Sequence, residues 1–242
     1  FTFYEMTELL YLNDSYIKKF DATVREVNGR FIVLDKTAFY PQGGGQPSDI
    51  GLINDNHGKT YRVNFVKRMG GVVTHEVDAE GMMEGEIVRC EVDWERRHLL
   101  MRYHTAAHIL AAVIHSKTGA QITGNELDIS GARVDFNLAE FDREKIQEYA
   151  KEVNEIISRN VSVEVKEMPR EEAFRIPAIV KLKMFLPESL ETIRVVTIHG
   201  IDQQACAGTH VSNTREIGMI EVTKAENKGA ENRRVYFILR NY

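Results

Sequence analysis

Arg102-Tyr103-His104-Thr105-Ala106-Ala107-His108 and, about a hundred residues later, Cys206-Ala207-Gly208-Thr209-His210 are two halves of one pattern. The first is HxxxH and the second CxxxH. Imidazole and thiolate are the ligands a zinc ion prefers, and a zinc site takes four donors. On a helix, an i, i+4 pair shares one face, one turn apart. The reading that organises the chain is that folding gathers His104, His108, Cys206 and His210 around a single Zn2+ ion, and that this metal marks the active site.

The first pair sits in a well-delimited helix. Asp93 is placed as its N-cap, Glu95 suits the positive end of the helix dipole in the first turn, and Gly119 ends the run. Leu99, Tyr103, Ala106, Leu110 and Val113 recur at helical spacing and form a core stripe. At about 100° per residue, His104 and His108 fall roughly 140–180° from that stripe. Core-filling histidines would lie on the stripe, so these two have another task. Their neighbours Met101, Ala111 and Ala112 are small or apolar, which predicts a second layer packed over the same face.

Composition bounds the rest. The chain has 242 residues, enough for one large domain or two modest ones, and 43% hydrophobic with 28% charged residues is ordinary for a globular protein. No apolar run approaches membrane-spanning length, and the first residues lack the basic, apolar, small-residue layout of a signal peptide, so no membrane partner and a cytoplasmic location are expected. Of the two cysteines, Cys90 lies in the alternating run 87–92 and reads as a strand residue. Without an export signal, free thiols are expected rather than a disulfide. A net charge of −5 argues against a protein that coats nucleic acid indiscriminately, while leaving room for a local basic patch.

Up to Asp93 the chain reads as short strands and turns. Residues 20–27 and 30–35 flank Asn28-Gly29, a strong hairpin signal. Strands at 60–66, 72–77 and 86–92 follow, and this spacing predicts a small antiparallel barrel over residues 1–93. His57 and His75 read as a turn and a strand residue. Within the barrel lies Phe39-Tyr40-Pro41-Gln42-Gly43-Gly44-Gly45-Gln46-Pro47-Ser48-Asp49. Three glycines between prolines exclude helix, and allow either a tight connecting loop or close approach of backbone N–H groups to an anion. The spacing fits neither a Walker loop nor a dinucleotide fingerprint.

Residues 94–242 mix helices and antiparallel strands, so the second half reads as α+β. A hairpin is expected at 121–127 and 131–136. Asp142 opens an amphipathic helix carrying Ile146, Tyr149, Val153, Ile156 and Ile157. Val161, Val163 and Val165 alternate as a strand, Pro169 starts a helical turn, and strands follow at 193–199, 219–223 and 234–239. No linker separates the halves, so rigid packing between them is expected.

Taken together the motifs resemble a known family. Asp35-x-Thr37-x-Phe39-Tyr40-Pro41-x-Gly43-Gly44-Gly45-Gln46, Val92-Asp93-Trp94-x-Arg96-Arg97, Met101-Arg102-x-His104-Thr105-Ala106-x-His108, Arg133-x-Asp135-Phe136 and Cys206-x-Gly208-Thr209-His210-Val211-x-x-Thr214-x-Glu216-Ile217-Gly218 are similar to the editing half of alanyl-tRNA synthetase. The resemblance runs in order from about residue 20 to the C-terminus. Because 242 residues leave no room for an aminoacylation core, the chain is identified as a member of the free-standing AlaX type, in its medium-length form with an N-terminal barrel. Ala207 stands where that family usually has glycine, at a position that brings no ligand.

The resemblance implies trans-editing, the hydrolysis of the ester joining serine, or glycine, to the acceptor end of tRNA(Ala). It implies zinc on His104, His108, Cys206 and His210, and a glycine-rich loop (Gly43, Gly44, Gly45, Gln46) near the pocket. A zinc-bound water is assigned as the catalytic group, and two versions stand. In one, zinc lowers the pKa of that water so that its hydroxide attacks the ester; in the other, zinc holds the amino acid's amine or hydroxyl while a separately positioned water attacks. HTAAH lacks the glutamate of HExxH, so no side-chain base is assigned, and Asp202 and Glu216 are weak candidates for a base or for support behind the ligands. Gln121, Thr123 and, more remotely, Thr105 are placed to recognise the seryl hydroxyl. Phosphate contacts are expected from Arg96, Arg97, Arg102, Lys224, Lys228, Arg233 and Arg234, with Lys181 and Lys183 as a further basic run. Two alternatives stand beside this reading: a non-catalytic zinc-stabilised tRNA-binding module, and an editing fragment of a full synthetase.

Overall fold

Alternation of apolar and polar residues dictates the first half of the chain. The computed structural model describes residues 6–180, 190–229 and 232–241, and the chain divides into two units, Phe1–Leu100 and Met101–Tyr242. The first holds β1 (Glu8–Leu9), α1 (Leu10–Asn13), β2 (Lys19–Asn28), β3 (Phe31–Leu34), β4 (Lys36–Thr37), β5 (Gly51–Asn54), β6 (Thr60–Met69), β7 (Val72–Val77) and β8 (Ile87–Val92). Six of these close an antiparallel barrel in the order β2-β3-β7-β6-β5-β8, which is the expected barrel with one strand more than the sequence announced. Among the described residues no helix is long and apolar enough to cross a membrane.

The barrel interior follows from the two-residue period. Phe20, Ala22 and Val24 of β2, Val73, His75 and Val77 of β7, and Val88, Cys90 and Val92 of β8 are all buried. Each large apolar side chain removed from water contributes about 1.5–3 kcal/mol. On β6 a bulge between Val63 and Phe65 resets the phase, so Val66 follows Val63 into the core. Asn28 pairs with Phe31, which leaves Gly29-Arg30 as the two-residue turn, and Gly29 takes a φ of 59°. His75 is wholly enclosed, with Nε2 at 2.8 Å from the Thr37 hydroxyl and Nδ1 at 3.1 Å from the Ile32 carbonyl. Burial lowers its pKa to about 4, so it sits in the barrel as a neutral strand residue.

The glycine-rich segment is a tight turn held down at both ends. Gly43 and Gln46 exchange backbone hydrogen bonds at 3.1 and 3.0 Å, and Gly44 and Gly45 take positive φ values of 59° and 83°. Asp49, at the end of the segment, is fully buried and accepts from the Tyr40 N–H at 2.7 Å. Its counter-charge is Arg97, also fully buried, whose Nε lies 2.9 Å from Asp49 Oδ2 while Nη1 donates to the Ser15 carbonyl at 2.9 Å and Nη2 to Ala38.

Arg97 belongs to α2 (Trp94–Thr118), the histidine helix, which continues into the second unit. That unit contains β9 (Ile122–Asp128), β10 (Gly131–Phe136), α3 (Arg143–Ser158), β11 (Val163–Pro169), α4 (Arg170–Ala173), α5 (Pro177–Val180), β12 (Thr192–Ile198), β13 (Asp202–Ala205), a 3-10 turn (Thr214–Ile217), β14 (Met219–Asn227) and β15 (Arg233–Arg240). Two antiparallel sheets result, β14-β15-β10-β9 and β11-β12-β13. Asp142 caps α3 as expected, accepting from the Glu144 and Lys145 N–H groups. The buried face of α3 is Ile146, Ala150, Val153, Ile156 and Ile157, with Tyr149 only half-buried. Asn154 fastens α3 to β14 by exchanging two hydrogen bonds with Ile220, at 2.9 and 2.8 Å.

Replacing Arg97 with Met would leave the Asp49 carboxylate buried without a counter-charge. Removing one partner of such a pair costs about 3–5 kcal/mol, so Arg97→Met should lower the denaturant midpoint of the full chain by a corresponding margin. A loss below about 1 kcal/mol, as for a solvated arginine, would contradict this account.

Candidate functional site

Helix α2 is buried on nearly every side over its middle turns. Leu100, Met101, Ala106, Ile109 and Leu110 are all buried, and Tyr103 meets Phe237 of β15 with ring centroids 5.9 Å apart. A helix so enclosed places any polar side chain it carries in a site rather than in solvent. His104 and His108 are only 7% and 8% exposed. Leu99, expected on the core stripe, is half-buried, and Leu100 takes that place. Of the residues expected beneath a second layer, Met101 and Ala111 are buried and Ala112 is half-buried.

The two distant pairs meet. One donor atom from each of His104, His108, Cys206 and His210 lies within 4.8 Å of the others. Cys206 Sγ is 3.6 Å from His104 Nε2 and 3.4 Å from His210 Nε2. A tetrahedral ion with bonds of about 2.0–2.3 Å separates its donors by roughly 3.3–3.7 Å. The donor chemistry and the spacing therefore fit a metal ion.

Surrounding groups fix how each donor points. Thr105 gives its hydroxyl hydrogen to the Met101 carbonyl at 3.0 Å, so toward His210 Nδ1, at 3.1 Å, it acts as acceptor. His210 thereby carries its hydrogen on Nδ1 and turns Nε2 to the cluster. Asp202 Oδ2 stands 3.1 Å from His108 Nδ1. Arg194 of β12 clamps the other ligand segment, donating through Nη1 to the carbonyls of Cys206 and Gly208. Gly208 is required sterically, because a Cβ there would overlap the His104 ring.

Burial would raise the Cys206 thiol, yet the His104 and His210 imidazoles beside it bring its pKa well below the ordinary value. His210 is lowered to about 3 by burial and by its neighbour His104. For His108 burial is outweighed by the hydrogen bonds to Asp202 and Cys206, and its pKa rises to about 10. The metal-free cluster is thus a thiolate paired with an imidazolium.

The other expected site residues separate into groups. Thr105 is fully buried with its hydroxyl committed, which puts it behind His210 rather than against a substrate. Gln121 and Thr123 are exposed at the start of β9. Asp135 pairs with Gly124 and Phe136 with Ile122, so Thr123 is the extra residue of a bulge. The Gln46 side chain is fully buried, and Gly43 and Gly44 form the exposed tip of their turn. Glu216 is removed as a base: it closes a capping box, accepting from the N–H groups of Ser212 and Asn213.

Several cations expected at phosphates have structural duties. Arg97 must be corrected, since it is fully enclosed with Asp49. Arg233 is likewise buried, donating to Asn227 and Gly229. Arg96 donates to the Ser48 carbonyl, Arg102 to Ile217 O at 2.7 Å and Asn241 at 2.9 Å, and Arg234 to Asp135 at 2.8 Å. Lys224 and Lys228 are exposed and share Glu226. Lys181 and Lys183 lie outside the described residues. Arg194 was missed; a lone arginine in Ile193-Arg194-Val195-Val196 was the available signal.

A metal ion must displace the His108 proton, which stays on the ring up to about pH 10. Affinity should therefore rise with pH, by about tenfold per unit between roughly pH 7 and 9, with one proton released per ion. Chelator-competition titrations across that range would read this directly, and a flat profile would refute it.

Known proteins place this geometry. The family described as tRNA synthetases class II (A) matches residues 1–96, and that described as threonyl and alanyl tRNA synthetase second additional domain matches 193–236. An alanyl-tRNA editing protein AlaX-M from Methanosarcina mazei is 46% identical over 243 residues, covering 97% of both chains. Its namesake from Saccharolobus solfataricus is 44% identical over 237 residues, covering 97% of this chain and 100% of the relative. An alanine–tRNA ligase from Pyrobaculum aerophilum is 38% identical over 228 residues, covering 91% of this chain but 25% of the ligase. The likeness is thus end to end with the short proteins and confined to a quarter of the ligase. The chain belongs to the AlaX-M family of alanyl-tRNA editing proteins.

Proposed function

We propose that this protein is a trans-editing esterase that hydrolyses the bond between serine, and secondarily glycine, and the acceptor end of tRNA(Ala), with Zn2+ as its metal. The observation that carries the reading is the convergence of two imidazoles of α2 with Cys206 and His210 within 4.8 Å, in a chain of this family. Three nitrogens and a thiolate form a set typical of zinc. Zinc bound there would supply Lewis acidity beside the ester.

The chain's own residues do the rest. His104, His108, Cys206 and His210 hold the ion, and Thr105 keeps Nε2 of His210 aimed at it. Gln121 and Thr123 are proposed to bind the seryl hydroxyl. A site that hydrogen-bonds a hydroxyl rejects the analogue lacking it by about 10⁴-fold, because its own polar groups would be stranded. Alanyl esters are spared on that account. Lys224 and Lys228 are proposed for phosphate contact: their surface pairing with Glu226 is weak and exchanges readily. The backbone of Gly43, Gly44 and Gly45, exposed at the first two, is proposed to meet the tRNA end. The cytoplasm, where charged tRNA is used, is the proposed location.

One observation favours a second reading. Four protein donors close a tetrahedron, and closed zinc sites are usually structural. A metal-stabilised module that binds tRNA without cleaving it would show the same cluster.

Deacylation of Ser-tRNA and Ala-tRNA by wild type and His104→Ala, with metal content measured on both, separates the two. The esterase reading expects rapid release of serine by wild type, at least a hundredfold slower release by His104→Ala, and Ala-tRNA left largely intact. No seryl release by metal-loaded wild type would establish the binding module instead. Thr123→Val should narrow the seryl-to-alanyl preference while leaving the unfolding midpoint within about 0.5 kcal/mol, as for other surface substitutions. An unchanged preference would remove Thr123 from the specificity pocket.

A further inference from the structure

We infer that Asp202 is a positioning residue: it locks His108 as an Nε2 donor and supplies the second negative charge that matches a divalent ion. The inference rests on the metal reading above and extends it to a residue that brings no ligand atom.

The geometry begins with strand alternation. Side chains at every second position of an extended segment share one side. Asp202, Gln204 and Cys206 stand in that relation on β13 and the residue just beyond it, where the Cys206 N–H still pairs with the Arg194 carbonyl of β12 at 3.2 Å. The contact from Gln204 Nε2 to Asp202 Oδ1, 3.1 Å, shows the shared side directly. One edge strand therefore delivers the thiolate and, four residues earlier, the carboxylate that steers an imidazole of α2.

Both oxygens of that carboxylate are used. Oδ1 accepts from Gln204, and Oδ2 lies 3.1 Å from His108 Nδ1, with both side chains about 10% exposed. A carboxylate accepts, so the hydrogen facing it sits on His108 Nδ1, and the Nε2 hydrogen is the one a metal ion displaces to free a lone pair for the cluster. Both oxygens are committed within the cluster, and this assigns Asp202 to orientation.

Charge gives the pair a second consequence. Thr105 performs the same orientation for His210 with a neutral hydroxyl. Asp202 does it with an anion. Thiolate and carboxylate together carry two negative charges, equal and opposite to one divalent cation, inside a pocket whose histidines are nine-tenths buried. In such surroundings an uncompensated charge is costly, so matched charge favours retention of the ion. Groups of this kind behind a metal ligand typically govern affinity by 10–100-fold.

The test is zinc affinity of the full chain, by competition with a chromophoric chelator, for wild type, Asp202→Asn and Asp202→Ala. Imidazole nitrogen resonances of the zinc-loaded proteins report the His108 tautomer. Wild type should bind one equivalent with the His108 hydrogen on Nδ1. Asp202→Asn, close in shape, should weaken binding about tenfold by losing charge, and Asp202→Ala about 10–100-fold with a rapidly exchanging Nδ1 hydrogen. Should the alanine variant not fold, the asparagine variant decides alone. Both variants binding within twofold of wild type, or a zinc-loaded wild type with the His108 hydrogen on Nε2, would overturn the inference. Wild type binding no stoichiometric zinc would instead overturn the underlying metal reading, so the two failures are distinct.

Discussion

Three imidazoles and a thiol lie within 4.8 Å of one another, and that convergence is the constraint on which the site depends. Most of the local architecture of the second unit answers that constraint. The donors come from segments about a hundred residues apart, and closing a loop of that length costs about 4 kcal/mol in chain entropy. Packing of α2 against β15, and the ladder from β11 to β13, bring the segments together independently of any ion. Arg194 then draws two carbonyls of the Cys206 segment inward, and the missing Cβ of Gly208 admits the His104 ring. The cluster is preorganised by ordinary packing. Binding energy is left for holding the ion rather than for assembling its ligands.

Features with a strong local signal were legible in the sequence. The HxxxH helix, a hairpin at Asn28-Gly29 (its turn one residue later, at Gly29-Arg30), the cap at Asp142 and the barrel alternation each follow from a few neighbouring residues. Two strands of more than two residues escaped because their signal is not local. β5 is four residues long and begins with Gly51, a poor strand former on its own. Its reason for being there is across the sheet, where a Cβ at Gly51 would overlap the Glu91 carbonyl. β13, Asp202 to Ala205, contains Asp-Gln-Gln-Ala, polar residues that read as loop until β12 is available to pair with them.

Charge was the least legible quantity. A sequence shows how many arginines there are but not what each is bound to. Arg96, Arg97 and Arg102 follow one another along α2 and look like a basic stripe facing an anion. They are three separate fastenings, to Ser48, to Asp49 and to Ile217. A fully buried guanidinium cannot release counter-ions from nucleic acid, so such residues add nothing to the salt dependence of binding. The count of 31 lysines and arginines therefore overstates the cations available at the surface. Any attraction of the protein for a polyanion must be carried by the smaller exposed set, in which Lys224 and Lys228 pair with Glu226.

Two threonines show how the same side chain divides between support and recognition. The Thr105 hydroxyl donates to Met101 and accepts from His210 and from the Val211 N–H, so its hydrogen and lone pairs are spent. A hydroxyl in that state cannot sense whether another hydroxyl has arrived, and its loss would act through the orientation of His210. Thr123 stands in the opposite situation: exposed, on an edge strand, at a bulge where the ladder skips a residue. Bulges redirect a side chain out of the regular alternation and recur beside binding sites. Discrimination between esters that differ by one hydroxyl demands a polar group whose hydrogen-bonding capacity is still uncommitted before the substrate binds. The threonine on the buried face of the histidine helix is committed to Met101 and His210, so under the proposed function recognition falls to residues beyond the helix end.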